Sequence, residues 1–419
     1  MTFSFDLAVI LQHGRRTMKR RSKKERRRTR RPPRDIRKCH EPMPEIPFDL
    51  VIEILTRLPA KSLMRFKSVS NLWSSLVCSR YFSNRLLKSS TPRLFMYLSF
   101  YDNSHLKGVL LSLSPSPDSD ITSTTSSFVI DQELALSAME SYHVSNVFRG
   151  LMCFVNRQRV QIYNTTTRQL VVLPQIEESN IIAEDHDLTS FKYSLVHDPV
   201  YNQYKVVCIV ARPRDGVERF TTYLSEHWVF LLGGEGPSRW KKISCNAPPH
   251  LPLREGLTIN GRMYYLAWVV HCVLVIFDTN SEETSMLQVP KNMFCIDTGL
   301  IEYGGKIALL HYTNLQSEGE MELWVLEDAE KNIWRSKILV VHPSQLDMVK
   351  SISTLRVQGT TRNGEVILVP INTNLFNIFL YDLQKNHIRK IEIEGRPNRH
   401  LTAFCEVVGL DDVENLMYI

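Results

Sequence analysis

The chain has 419 residues, 43% of them hydrophobic, 9% aromatic and 23% charged, which excludes global disorder and a fibrous or low-complexity protein. Its net charge of +7 is a local property: residues 15–38 carry 15 Lys/Arg against Glu25 and Asp35, a local +13. The remainder therefore carries −6, which excludes a basic nucleic-acid-binding domain surface, and the longest apolar run, Met263 to Phe277, is interrupted by His271 and too short to span a bilayer.

The first zone, residues 1–40, reads as a disordered basic tail. Its start, MTFSFDLAVILQHG, has an acid at Asp6 and no basic residue before its apolar part, the wrong order for a secretory signal, and Met18 is an alternative start. The run that follows repels itself, cannot bury anything and ends in Pro32-Pro33. Lys19, Arg20, Arg21, Lys23 and Lys24 form one cluster, and Arg26, Arg27, Arg28, Arg30 and Arg31 a second. These are dense enough for importin binding; weak nucleic-acid or membrane contact and a merely solvated tail are the other readings. No aromatic is interleaved, which argues against base stacking.

The second zone, residues 44–88, is helical. Leu50, Val51, Ile54, Leu55 and Leu58 make one stripe, with Asp49 placed to cap or favour the first turn after Pro47, and Pro59 stops the helix. Leu63, Phe66, Val69, Trp73 and Leu76 follow at spacings of three and four. A module of about 45 residues buries too little surface to stand alone and is expected to lean on a partner. Amphipathicity by itself equally suits a helical cap on the larger region.

The third zone, residues 94–415, reads as β. Its apolar runs are short, rich in Val, Ile, Tyr, Phe and Trp, and punctuated by Asn-Gly, Gly-Gly and Asp-Pro, with a Ser/Thr/Pro/Asp-rich loop at 112–127. A glycine followed by an apolar run recurs at Gly150, Gly261, Gly305 and Gly364. An aromatic with Asn or Asp follows at Asn164, Asp278 and Asp382, and Asp328 stands in that place after Gly305. With weaker starts near Leu94 and Gln203, the units are spaced by 44 to 59 residues. HWVFLLGGEGPSRWKKI from His227 and LWVLEDAEKNIWRSKI from Leu323 echo one another. A period of about 50 with several strands per unit is the signature of a propeller blade, and about six units cover the zone, with six to eight allowed. LTAFCEVVGL at 401–410 is expected to close the ring against the first blade.

Little in this zone suggests catalysis. Eight singly scattered cysteines suggest neither a zinc module nor a disulfide framework, and read as reduced core residues. GLIEYGGKI has the wrong spacing for a phosphate loop, and Gly233 to Gly236 reads as a hairpin tip. His271-Cys272 has no third ligand nearby in the sequence. No metal or cofactor is expected. A catalytic propeller would need an inward cluster of His, Tyr or carboxylates.

Ile46-Pro47-x-Asp49-Leu50, Ile54-Leu55-x-Arg57-Leu58-Pro59, Lys61-Ser62-Leu63, Arg65-Phe66, Val69-Ser70, Trp73 and Leu76 closely resemble the F-box of plant F-box proteins, in register over more than thirty residues. Asn71 is a small departure, at a place where a basic residue is common. Downstream, RGLMCF, VQIYNTTTRQLVVLP, SLVHDPVYNQYKVVCI, INGRMYYLAW, LIEYGGKIALL and FLYDLQKNHIRKIEI resemble the type 3 F-box-associated domain.

The resemblance implies a multidomain α+β chain, with a three-helix F-box at 44–88 and a kelch-like all-β propeller at 94–415. It implies docking onto a Skp-type adaptor, and through it onto cullin and RING subunits, with Pro47, Leu50, Ile54, Leu58, Pro59, Leu63, Phe66, Val69 and Trp73 forming the docking module. The expected role is a non-catalytic substrate receptor of a Skp–cullin–F-box (SCF) ubiquitin ligase in the nucleus and cytoplasm. A non-degradative scaffold or nuclear regulator is the alternative. No residue is assigned to target binding.

Overall fold

The computed structural model describes residues 46–89, 94–102, 105–115, 125–135, 142–182, 188–214, 222–233, 239–254, 256–290, 297–350, 355–361, 363–370, 377–394 and 403–406. The basic run and its importin candidates lie outside the described residues. The chain divides into two compact units, Met1–Ser90 and Thr91–Ile419.

Among its described residues the first unit holds α1 (Phe48–Thr56), α2 (Ala60–Lys67), α3 (Asn71–Val77) and α4 (Arg80–Ser89), four helices where three were expected. Each boundary has a local cause. The carbonyls of Pro47 and Pro59 accept the first amides of α1 and α2, since a proline just before a helix presets the entry angle and removes a donor that the helix could not satisfy. Ser70 caps α3, its hydroxyl accepting from the Trp73 amide at 3.3 Å, and Ser79 does the same for Phe82 at the start of α4. Asp49 lies in the first turn of α1 without a side-chain capping bond. Ile52, Leu55, Leu63, Val77, Phe82 and Leu86 are fully buried.

The second unit is built of sheets whose described strand pairs are antiparallel except one. Its first strands are β1 (Leu94–Asp102), β2 (His105–Pro115) and β3 (Thr125–Ala135), so both ends of the loop expected at 112–127 are strand. The first blade is β4–β7 (His143–Phe148, Leu151–Asn156, Arg159–Asn164, Leu170–Val172). The second is β8–β11 (Ser190–Asp198, Gln203–Pro213, Tyr223–Leu232, Lys241–Ile243). The third has β12 (Leu251–Pro252) and β13 (Leu257–Ile259), both paired with β14 (Arg262–Trp268), then β15 (Cys272–Asp278) and β16 (Thr284–Gln288). The fourth is β17–β20 (Thr298–Tyr303, Lys306–His311, Glu320–Asp328, Ile333–Val340), followed by a short helix, α5 (Pro343–Lys350). The fifth is β21–β24 (Leu355–Thr360, Glu365–Pro370, Asn377–Asp382, His387–Glu394).

Among the described residues five sheets form, rather than about six blades. The unit starting near Leu94 does not stand apart, because β3 pairs in parallel with the outer edge of β24, from Lys390↔Thr125 to Glu394↔Val129. An outer strand leaves a row of unpaired amides and carbonyls, and β3 satisfies them, merging both groups into one eight-stranded sheet. The last apolar run pairs with the unit near Leu94, as expected: β25 (Ala403–Glu406) lies antiparallel to β1, with Tyr97 opposite Glu406, but it extends the far edge of that merged sheet and does not join it to another blade.

In the first and third blades the repeated residues occupy two turns. Arg149-Gly150 and Asn260-Gly261 both have positive φ at consecutive positions, the backbone of a tight hairpin between the first and second strands. At the turn between the third and fourth strands, Asn164 Oδ1 accepts from the amides of Thr166 and Thr167, Asp278 Oδ1 from those of Asn280 and Ser281, and Asp382 Oδ1 from those of Gln384 and Lys385. The two turns are tied together by the Thr165 and Thr279 amides, which donate to the carbonyls of Gly150 and Gly261.

The core lies between sheets. Leu151, Ile162, Tyr193, Val206 and Trp228 fill the gap between the first and second blades, and Val207, Val229, Tyr265, Val275 and Phe277 the next. Leu274 and Leu309 meet between the third and fourth, and Leu310, Leu323, Leu368 and Tyr381 between the fourth and fifth. Polar groups cross the same gaps. Buried Lys205 donates to the Thr279 carbonyl at 2.6 Å and to Glu282 at 3.1 Å, and lies 3.4 Å from Asp198. Cys78, Cys153, Cys208 and Cys245 are free thiols, but Cys272 is disulfide-bonded, against the expectation that all are reduced. Pairing depends on the spatial separation of two cysteines, which scattered sequence spacing does not report.

A second polar clasp joins the second and third blades. His250 Nδ1 lies 2.8 Å from the Pro248 carbonyl, which can only accept, so Nδ1 carries the proton. His250 Nε2 then accepts from the Tyr265 hydroxyl at 2.8 Å, and Tyr265 oxygen accepts from His227 Nε2–H at 3.2 Å, leaving buried His227 Nδ1 unpartnered. Burial, helped by neighbouring His250, lowers the His227 pKa to about 3, and burial lowers that of His250. Because the folded state binds fewer protons here than the unfolded chain, stability falls as pH drops from about 6.5 toward 3. Urea unfolding of the propeller at pH 7.5 and 5 should show this loss. Tyr265→Phe, which leaves both imidazoles unpaired on that side, should cost about 1–3 kcal/mol at pH 7.5.

Candidate functional site

The helical unit carries its apolar residues on two faces. In α1, Ile52 and Leu55 are 1% and 2% exposed, whereas Leu50 and Ile54, one turn apart, are 49% and 52% exposed. The single stripe expected from the sequence therefore divides, with Ile52, which the stripe omitted, on the inner face. Of the other expected docking residues, Leu63 is in the core, Leu58, Phe66 and Trp73 are half-buried, and Pro47, Pro59 and Val69 are exposed. Phe66 and Trp73 sit with ring centroids 5.4 Å apart, so the turn between α2 and α3 is held by an aromatic pair. Ile46, the first residue of the quoted motif, and Leu72 are also exposed, though neither was among the expected docking residues.

Exposed apolar side chains beside a complete core are the mark of a contact face, because each could be polar without loss of internal packing. Around them stand Arg57, paired with Glu53 at 2.6 Å, and the unburied Lys61 and Arg65. The face can bury apolar surface against a partner and surround it with charge.

The second unit offers a central cavity of about 280 Å³ between the first strands of its blades. It is lined from β4 by Asn146, from the third blade by Arg254 and Thr258, from β17 by Glu302, and from β21 by Arg356 and Gln358. The neighbouring inner strands are laced together by side chains. Ser145 Oγ donates to the Tyr193 carbonyl at 2.6 Å, Asn146 Oδ1 accepts from the Leu195 amide at 3.1 Å, and Ser194 Oγ accepts from the Gly256 amide at 3.1 Å. Between the fourth and fifth blades the approach is closer still, since a Cβ on Gly299 would lie 2.4 Å from Val357 Cγ1.

Among the described residues no group of three or more His, Cys, Asp or Glu is arranged to hold a metal ion, and no helix is long and apolar enough to cross a membrane. The His227, Tyr265 and His250 cluster lies between sheets and none of its members lines the cavity.

Two family models account for these parts: an F-box domain matches residues 43–85, and an F-box associated beta propeller domain matches residues 95–417. The chain is an F-box protein with an F-box-associated propeller. An F-box protein of Arabidopsis thaliana is 66% identical to it over 425 residues, covering 100% of both chains. An F-box/kelch-repeat protein of the same plant is 60% identical, again over 100% of both. Among solved structures, YjhT is similar over 61% of this chain and 87% of its own, with 9% identity and a TM-score of 0.38.

The two faces of the F-box helices should respond differently to truncation. Leu63→Ala opens a cavity in the core and should cost about 2–5 kcal/mol of the module's stability. Ile54→Ala should change its helical circular dichroism and melting by little, about 0.5 kcal/mol or less.

Proposed function

We propose that this F-box protein is the substrate-recognition subunit of an SCF ubiquitin ligase, its helices holding a Skp-type adaptor and, through it, cullin and RING subunits, while the propeller holds a target protein. The observation that supports this most is the pair of exposed apolar rows, Leu50 with Ile54 and Val69 with Leu72, on a module whose own core is already complete. The chain does no chemistry in this reading. It raises the concentration of the target's lysines near the charged ubiquitin-conjugating enzyme, and the gain comes from proximity.

Full-length chain and its Leu50→Glu/Ile54→Glu variant, presented to a panel of Skp-type adaptors, test the reading. Each introduced carboxylate must be desolvated at an apolar interface, so binding should fall at least about tenfold while helical content is kept. Undiminished binding by the variant would overturn the assignment of this face. Target turnover separates the ligase from a non-degradative scaffold or nuclear regulator: a bound partner whose half-life is unchanged on deleting residues 44–88 is being held, not delivered for ubiquitination.

The basic run supports a nuclear and cytoplasmic distribution through importin, its two clusters being dense enough for acidic grooves on that carrier. A fluorescent fusion lacking residues 15–38 should shift from nucleus to cytoplasm, and an unchanged distribution would leave the run without that role.

A further inference from the structure

We infer that the propeller's central cavity binds a carboxylate that carries a hydrogen-bond donor beside it, held at the mouth formed by Arg254 and Arg356. The inference deepens the recruitment reading above, since it concerns how the same propeller would seize a partner.

Strand direction places the charges. Arg254 precedes β13 and Arg356 is the second residue of β21, so both lie where the inner strands begin. Glu302 and Thr360 lie where β17 and β21 end, beside the hairpin glycines Gly305 and Gly364. The packing of Gly299 against Val357 aligns these two strands, which sets Arg356 near the level of Thr298 and Glu302 near that of Thr360. The cavity is therefore cationic at one end and acidic at the other. Arg356 forms no ion pair among the described residues.

The interior has an unmet demand. Gln358 Oε1 and Thr258 Oγ1 are both buried in the cavity wall without a hydrogen-bond partner, and Gln358 lies two residues from Arg356 on β21, at the bulge between Val357 and Thr360, with both residues lining the cavity. A buried carbonyl oxygen without a donor costs free energy, so what enters here is expected to bring an N–H or O–H. A guanidinium fork accepts a carboxylate in two parallel bonds. The complementary group is thus an anion with an adjacent donor: an α-hydroxy or α-amino acid, or an acidic residue of a polypeptide together with a peptide N–H. A volume of about 280 Å³, at roughly 30 Å³ per water-sized group, has room for one such unit.

The polypeptide source has further support at the same end of the cavity. Trp268 pairs with Leu251 across β14 and β12, next to the connection that carries Arg254, and Trp268 and Val270 are 41% and 72% exposed. They offer an apolar rim for residues flanking the acid.

The test uses the full-length chain with two probe sets. One is a panel of free acids, malate and glutamate among them, read by calorimetry. The other is an array of nonapeptides with random flanks and a central Glu, matched by the same array with central Gln. Arg356→Gln should weaken whichever probe binds by at least about tenfold, and Arg356→Lys, which keeps the charge but loses the fork, by less. Equal melting of the three proteins shows that the fold is unchanged. Binding of free acids identifies a small-molecule site, and binding of the Glu array alone identifies a target-peptide site. No binding to either set, or binding indifferent to both substitutions, would overturn the inference. Because binding is read on the chain without any adaptor, its failure leaves the SCF reading standing, and failure of that reading leaves this one standing.

Discussion

Both faces of nearly every sheet in the larger unit must be covered, and the rest of the structure depends on that constraint. A four-stranded sheet with apolar side chains on both sides is stable only between two neighbours, and here each gap between successive blades is filled by interleaved residues such as Trp228, Phe277, Leu309 and Tyr381. The blades are consequently fixed relative to one another by non-directional burial. Directional bonds then set register and spacing, with Lys205 bridging to Thr279 and Glu282, and Tyr265 standing between two neutral histidines.

Radial packing has two further consequences. It brings the first strands together around a common space, where Ser145, Asn146 and Ser194 tie neighbouring strands by side chain to main chain and leave a cavity with polar walls. It also leaves the outermost strands with open edges. The edge of β24 is taken up by β3, and the chain uses β25 to extend the same sheet from its far side. The Gln345 side chain of α5 makes a similar repair, donating to and accepting from the main chain of Ile388.

The helical unit works under the opposite constraint, having little surface to bury. A core of Ile52, Leu55, Leu63, Val77, Phe82 and Leu86 meets its own needs, and the apolar residues left outside it are too many for a module of that size to expose without reason. Helical spacing could show that α1 and α2 were amphipathic. It set Leu50 and Ile52 on opposite sides but could not say which side is inside, because both are apolar and the packing of α1 against α4 decides it.

Local chemistry was legible from the sequence alone. Pro47 marked a helix start and Pro59 a helix end, and the glycines at about 50-residue intervals with Asn164, Asp278 and Asp382 marked the repeat, because each of these acts through its own backbone within a few residues. The F-box was legible only as a resemblance, in the order of residues from Ile46 to Leu76. Tertiary structure alone decided what depends on distant segments meeting: the merging of β1–β3 with the fifth blade, the disulfide at Cys272, the proton order through His227, Tyr265 and His250, and the mouth shared by Arg254 and Arg356. Those partners are separated by tens to hundreds of residues, and periodicity within one strand carries no information about which strand will lie beside it.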